Sequence, residues 1–220
     1  MLIIDYISEI AYNYKKMIAI ITGDIINSDK HKVLAWMEPL KKKLAEVGES
    51  PIDWEIFRGD EFQLKIQPQK ALRTAIHIKA LIKSIKGLDV RIAIGLGTET
   101  FKGTSVSQSN GTAYQYSGRT FETLKDQKVN LAMASGNKDQ DRTLNLILKL
   151  AMDFMNTWST VSAEIVAIAL ENPEASQQEI AEWLHIQQSA VSQRQKRARL
   201  DLVMELLDYY EGVQSLNETK

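Results

Sequence analysis

The chain has 220 residues, an apolar fraction of 44% and a formal net charge of -1. It contains no cysteine, which excludes disulfide bonds, zinc–thiolate centres and cysteine nucleophiles. The near-neutral charge argues against a uniformly basic nucleic-acid coat, although it leaves room for a local basic patch.

The sequence contains no apolar run that approaches the ~20 residues of a membrane helix. Its first residues also lack the basic start of a secretory signal. We therefore expect a cytoplasmic protein with no membrane partner, which fits the missing cysteine. Residues 1–16 are interpreted as an extension before the first strong strand.

The next part of the chain alternates strand-like and helix-like patterns. The predicted elements are, in order, a strand at 17–25, a helix at 31–47, a hairpin at 52–66, a helix at 68–86, a strand at 88–97, a helix at 113–127 and a short strand at 129–134. When the hairpin is counted as two strands, the first six elements have the β-α-β-β-α-β order of ferredoxin-like folds.

After the polar stretch 135–141 no strand-like run follows, and residues 142–171 are predicted to be wholly helical. The fold class is therefore α+β, with a ferredoxin-like N-terminal domain followed by an all-α helix-turn-helix domain. The predicted division is an extension at 1–16, an α+β domain at 17–138, a helical connector at 139–157, a helix-turn-helix domain at 158–212 and a tail at 213–220.

Two carboxylates lie where the first strand and the hairpin of such a sheet meet. Asp24 ends the run "IAIITGD", and Asp60 lies in the hairpin turn "RGDEF". Adjacent carboxylates repel each other unless a cation lies between them, and Mg²⁺ favours oxygen ligands of this kind. In the alternative interpretation, Asp24 caps the next helix and Asp60 is an ordinary turn residue. Gly23 and Gly59 are expected to let the backbone approach a ligand closely.

The same motifs carry a resemblance. "GDI", the glycine-aspartate hairpin, "RIAIGLG" and "AYQYSGRTFETLK" resemble the palm domain of class III nucleotidyl cyclases, and "RGDEF" is similar to the GGDEF turn. More narrowly, "IITGDIINS" with "RGDEFQ" resembles the SatD family over about residues 17–211. The resemblance implies Mg²⁺ as cofactor, with the metal residues Asp24, Ile25 and Asp60. The ligand-binding residues predicted for a nucleotide-like small molecule are Asp24, Arg58, Asp60, Glu61 and Arg119.

The catalytic part of the cyclase pattern is not retained. Arg58 replaces a glycine of the GGDEF signature, and Glu122 and Asp126 stand where cyclases place an asparagine and an arginine. An acid at that place has the wrong sign to stabilise a triphosphate transition state. We therefore assign no catalytic residue, and whether the protein is an enzyme stays open.

The C-terminal stretch "SQQEIAEWLHIQQSAVSQRQKRARL" (176–200) has the pattern of a helix-turn-helix. Ser176 and Glu179 form a capping box, and Ala181 allows a close helix crossing. His185 replaces the usual turn glycine. The stretch also resembles the promoter-reading part of sigma-70-type factors. Those factors have an apolar residue at the position that Gln195 occupies here.

The second helix of this motif, at about 189–199, concentrates its cations at 194–199. We predict that it binds double-stranded DNA, with bases read in the major groove and phosphates bound by the cations. The predicted DNA-binding residues are Ser189, Ser192, Gln193, Arg194, Lys196, Arg197 and Arg199. The alternative is a small helical bundle with a solvated charged face.

The sequence thus favours a DNA-binding transcriptional regulator whose palm domain senses a phosphate-bearing small molecule. One alternative is a Mg²⁺-dependent nucleotidyl transferase or cyclase with a DNA-binding tail, and a second is a non-catalytic dimerisation scaffold. Paired half-sites on DNA also favour a homodimer.

Overall fold

The computed structural model describes residues 17–218, with side chains described up to residue 215. The predicted extension at 1–16 and residues 219 and 220 lie outside the described part. Within residues 17–218 there are five strands and eight α-helices. The strands are β1 (Met17–Ile26), β2 (Trp54–Phe57), β3 (Glu61–Ile66), β4 (Asp89–Thr98) and β5 (Leu131–Ala134). The helices are α1 (Val33–Ala45), α2 (Pro68–Lys83), α3 (Thr112–Gln127), α4 (Lys138–Met155), α5 (Thr160–Glu171), α6 (Gln177–Leu184), α7 (Gln188–Ala198) and α8 (Leu200–Glu218).

The five strands form one mixed sheet in the order β2-β3-β1-β4-β5. Strand β1 is antiparallel to both β3 and β4, whereas β5 is parallel to β4. The first four strands have the order of a ferredoxin-like sheet, which confirms the predicted α+β class. The β4–α3–β5 unit adds one parallel strand, as expected for a crossover through a helix.

The two faces of the sheet are covered by different helices. Ile21, Leu64 and Ile94 belong to the main core, which also contains residues of α1 and α2. Ile20 lies on the opposite face and packs in a smaller cluster with Ala113 of α3. This division follows from β1, because successive residues of a strand point to opposite faces.

Helix α2 forms a middle layer between the sheet and the C-terminal helices. It contacts β1 and β4 on one side and α5 and α8 on the other. Eleven of its 16 residues are therefore buried, including His77 and Lys79. The sequence predicted a simple amphipathic helix here. The additional buried face arises because the helical region packs directly against α2.

Polar contacts also join α2 to the sheet and to the C-terminal helices. The Lys79 ammonium lies 2.7 Å from an oxygen of Asp89 and 2.9 Å from the side-chain oxygen of Asn156, directly after α4. Burial lowers the pKa of Lys79, while the neighbouring Asp89 acts in the opposite direction. On α8, the Tyr210 hydroxyl donates to the Pro68 carbonyl at 2.7 Å. One continuous apolar core thus crosses the predicted boundary at 135–141.

The C-terminal helices have the following bounds. The stretch 142–171, which the sequence predicts to be wholly helical, contains two helices, since α4 ends at Met155 and α5 begins at Thr160. The Ser159 side chain caps α5, and the Trp158 indole nitrogen donates to the Ala198 carbonyl at 2.9 Å, which fixes the break. Helix α8 continues to Glu218, into the segment 213–220 that the sequence predicts as a tail.

Candidate functional site

The predicted acids lie together at one end of the sheet. Asp24 of β1 is the register partner of Glu61 on β3 and of Arg91 on β4. Asp60 lies one residue before β3, and its carbonyl oxygen accepts the amide of Ile25 at 3.3 Å. Because register partners project from the same face, Asp24, Glu61 and Arg91 share one surface.

Each acid already has a polar partner. Arg91 Nε donates to one oxygen of Asp24 at 2.9 Å, and a second guanidinium nitrogen donates to the other oxygen. Ser28 donates its hydroxyl to the Asp60 carboxylate. The hydrogen bonds with Asp24 raise the pKa of Arg91, and the negative charge of Asp60 acts in the same direction. The Arg91 guanidinium therefore serves as the counter-ion of Asp24, at a place where the sequence predicted a metal ion.

This arrangement bears directly on the Mg²⁺ prediction. Within residues 17–218 there is no group of three or more acidic or histidine side chains that could hold a metal ion. Both oxygens of Asp24 accept from Arg91, so Mg²⁺ at Asp24 and Asp60 would have to share the Asp24 carboxylate with a guanidinium of like charge. The Ile25 side chain is buried in the core, which leaves only its backbone for such a site.

The remaining predicted ligand residues are more exposed. Arg58 has 78% of its side chain exposed and forms a long ion pair with Glu61, at 3.7 Å. Arg119 is exposed on α3, and no ion pair involving it is found among the described residues. Both guanidinium groups are accessible to an anion from solvent.

A polar row that the sequence did not indicate continues from the acids along the same face. The Ser117 hydroxyl of α3 is fully buried and lies 2.8 Å from the Thr22 hydroxyl and 3.2 Å from the Ala93 carbonyl. Gln63 donates to Thr22 at 3.3 Å. Residues two apart in β1 share a face, so this row leads directly to Asp24.

Gly23 has a packing role beside the acids. A Cβ at this position would lie 2.6 Å from the Phe62 ring and 2.8 Å from the Arg91 carbonyl. The glycine therefore lets Phe62 pack across β1.

The helix-turn-helix geometry predicted for residues 176–200 is present. Ser176 and Glu179 form both hydrogen bonds of the capping box at the start of α6. His185 adopts the left-handed conformation, with φ of 52°, between α6 and α7. Ala181 and Val191 are buried where the two helices meet.

The outer surface of α7 is polar and largely exposed. The exposed residues among those predicted to bind DNA are Ser189, Ser192, Gln193, Lys196, Arg197 and Arg199. Arg194 is half-buried and donates to Glu164 of α5 at 3.2 Å. The Arg199 guanidinium lies 5.3 Å from the centre of the Phe154 ring. Gln195 accepts from Gln177 at 2.6 Å, so a hydrogen bond holds the side chain at this position.

These features define an α+β protein in which a ferredoxin-like sheet carries a helical layer with an exposed helix-turn-helix. A sequence model of the SatD family matches residues 17–206, and the chain belongs to this family. The match includes α6 and α7 and also Asp24, Asp60, Glu61 and Arg91, which we call the acid cluster. No curated protein gives a significant match to the chain. Between residues 17 and 218, no helix combines the length and apolar character that crossing a membrane requires.

Proposed function

We propose that the protein binds double-stranded DNA through α6 and α7 and regulates transcription. The observation that carries this proposal is the exposed polar surface of α7 on a capped, tightly packed helix pair. Helix α6 packs against α7, and α5 supports α7 from behind. A helix supported in this way can enter a major groove as one rigid unit.

The residues of α7 divide by chemistry. Ser192 and Gln193 carry donors and acceptors that suit base edges, whereas Lys196 and Arg197 suit phosphates. Ser189 begins the same exposed face, and Arg199 extends the positive charge beyond the helix. Arg194 is bound to Glu164, so it contacts DNA by exchanging that carboxylate for a phosphate.

Salt dependence of duplex binding tests the proposal. Replacing Lys196 and Arg197 together by alanine should weaken binding and reduce the slope of log affinity against log salt by roughly 2, or about 1 per lost phosphate contact. The measurement is fluorescence anisotropy with a labelled duplex of mixed sequence.

A matched control removes two exposed lysines of the palm. Changing Lys86 and Lys102 to alanine alters the net charge equally but leaves α7 intact. This control should retain the wild-type slope. If both double variants have the wild-type slope, α7 is not the interface. If the wild-type protein binds no duplex at low salt, the proposal fails.

The acid cluster supports a sensory role for the palm, with a phosphate-bearing small molecule as ligand. Arg91 lies in a polar surface beside Asp24, and Arg58 is exposed at the adjacent turn. A phosphate group can compete with Asp24 for the guanidinium, since both anions fit its paired donors. Helix α2 contacts both the sheet and α5, so it provides a physical connection to the DNA-binding helices.

Nucleoside triphosphates, offered with and without Mg²⁺, distinguish this role from its alternatives. A sensor should show a higher melting temperature with a triphosphate and a changed affinity for DNA, because a ligand stabilises the state that it prefers. Arg91→Met should abolish both effects. Turnover of the triphosphate that Asp24→Asn eliminates would instead identify an enzyme. If the protein neither binds nor turns over a triphosphate, the scaffold alternative is favoured.

A further inference from the structure

Helix α4 presents two rows of side chains with opposite environments. Leu144, Leu148 and Met152 are buried against the rest of the protein. On the other side, Leu146 is 59% exposed and Leu150 is 66% exposed, one helical turn apart. These leucines lie on the outer face of α4, which we call the α4 outer row and define by Arg142, Leu146, Lys149, Leu150 and Asp153. All five are exposed.

The charges of the α4 outer row are arranged with opposite signs at its two ends. Arg142 lies toward the start of the helix, and Asp153 lies toward its end. In the part of the chain that the structure describes, neither residue forms an ion pair. When a second α4 is laid antiparallel across the first, Arg142 of each copy faces Asp153 of the other. The same alignment places Leu146 of each copy opposite Leu150 of the other.

A groove lies beside this row. It has a volume of about 530 Å³ and is bounded by β5, α3 and α4. Lys149 and Asn145 of α4 are among its lining residues, together with apolar residues such as Leu131 and Val129. The groove can therefore accept apolar side chains that reach across the α4 outer row.

The edge of β5 does not offer an alternative mode of association at this place. The side-chain amide of Asn145 accepts from the Met133 nitrogen at 2.9 Å and donates to the Met133 oxygen at 2.7 Å. Because Asn145 occupies both outward-facing backbone groups of Met133, a second strand cannot pair there without displacing it. Association at this surface must use side chains.

We infer that the α4 outer row is the contact surface of a two-fold symmetric dimer of this chain. A two-fold contact requires a self-complementary patch, and opposite charges flanking two leucines on one helix satisfy that requirement. A single helix pair with a neighbouring groove is a small interface, so the dissociation constant is expected in the micromolar range. The inference does not depend on DNA binding, although a symmetric dimer would present two copies of α7 to paired half-sites.

Sedimentation equilibrium from about 1 to about 100 μM tests the dimer, since this range brackets micromolar affinity. The wild-type protein should change from monomer to dimer across the range, and Leu150→Glu should remain monomeric. Leu34→Glu is the matched control, because Leu34 is 69% exposed on α1, and it should dimerise like wild type. A monomeric wild type at 100 μM, or a dimer that Leu150→Glu leaves unchanged, would overturn the inference.

Charge reversal tests the antiparallel alignment separately. Arg142→Asp alone and Asp153→Arg alone should each weaken the dimer at least several-fold, because like charges then face each other. The chain that carries both changes should recover the wild-type affinity. Failure of the double variant to recover would refute this alignment.

Cross-linking supplies a readout that does not depend on affinity. The chain has no native cysteine, so Leu146→Cys and Leu150→Cys each introduce a single thiol. Mixed copies of the two variants should cross-link to each other with a short bifunctional reagent more than either variant does alone. Equal cross-linking in all three samples would contradict the pairing of Leu146 with Leu150.

Discussion

His77 is a buried base whose protonation should destabilise the fold. It lies on α2 with 2% of its surface exposed, and its Nε2 atom has no hydrogen-bond partner among the described residues. Burial lowers the pKa of His77 from 6.5 to about 4, and the nearby charge of Lys43 acts in the same direction. Glu171 and Glu46 oppose this shift only partly. His77 is therefore neutral in the folded protein at neutral pH.

The sign and size of the effect follow from linkage. The unfolded chain takes up a proton at His77 near pH 6.5, whereas the folded protein does so near pH 4. Between these values the unfolded state binds more protons, so stability rises with pH and is lost as the pH falls. The full difference corresponds to about 3 kcal/mol. About 2 kcal/mol of it should be lost between pH 7 and pH 5.

Urea unfolding at pH 7 and pH 5 measures this contribution. His77→Phe and His77→Gln cannot take up the proton, so both should lose about 2 kcal/mol less stability than wild type over this interval. Two chemically different replacements are needed because each changes packing in its own way at pH 7. If both variants lose as much stability as wild type between pH 7 and pH 5, the reasoning about His77 is wrong.

Two further pairs of substitutions test how the layers are held together. Tyr210→Phe should cost about 1.5 kcal/mol by leaving the Pro68 carbonyl without its donor. The exposed neighbour gives the control, since Tyr209→Phe should change the free energy of unfolding by less than about 0.5 kcal/mol. Gly95→Ala should cost roughly 3 kcal/mol, because the new Cβ would lie 2.1 Å from a backbone oxygen of α3. Gly118→Ala has open space and should instead stabilise α3 by about 0.5 kcal/mol. Chemical denaturation measures all four, and equal effects within either pair would contradict the packing described here.

Much of the sheet could be predicted because its signals are local. The apolar runs of β1 and β4 and the glycine turn at residue 59 mark strands and a hairpin directly. The β-α-β-β-α-β order then restricts the neighbours of β1, which brings Asp24 near Asp60. The predicted capping box and left-handed turn of α6 are confirmed for the same reason, since each depends on a few consecutive residues.

The partners of the acids could not be predicted because they depend on register. Arg91 faces Asp24 only because β1 and β4 align at that pair, and a slip of one residue would move it to the other face. Ser117 meets Thr22 across 95 positions of sequence. Whether a carboxylate meets an arginine or a metal is thus decided by long-range pairing, which the residue types alone do not specify.

The ends of α4 and α5 could be predicted only in part. The boundary predicted between the connector at 139–157 and the domain at 158–212 falls in the loop between these two helices, but apolar spacing that continues on both sides does not give their terminal residues. The Ser159 cap and the hydrogen bond from the Trp158 indole to the Ala198 carbonyl fix the position of the break between the two helices. A serine preceding a helical run was a usable signal, but the acceptor 40 positions away was not.

The position of α2 between the sheet and the C-terminal helices has a consequence for protein engineering. Residues 158–212 cannot be transferred by themselves to another protein, because the surface against which they pack belongs to α2. Removing them would in turn leave the Pro68 carbonyl and the apolar back of α2 open to water. A chimera with a relative should therefore exchange α2 together with the C-terminal helices, which places the seam at the loops that flank α2.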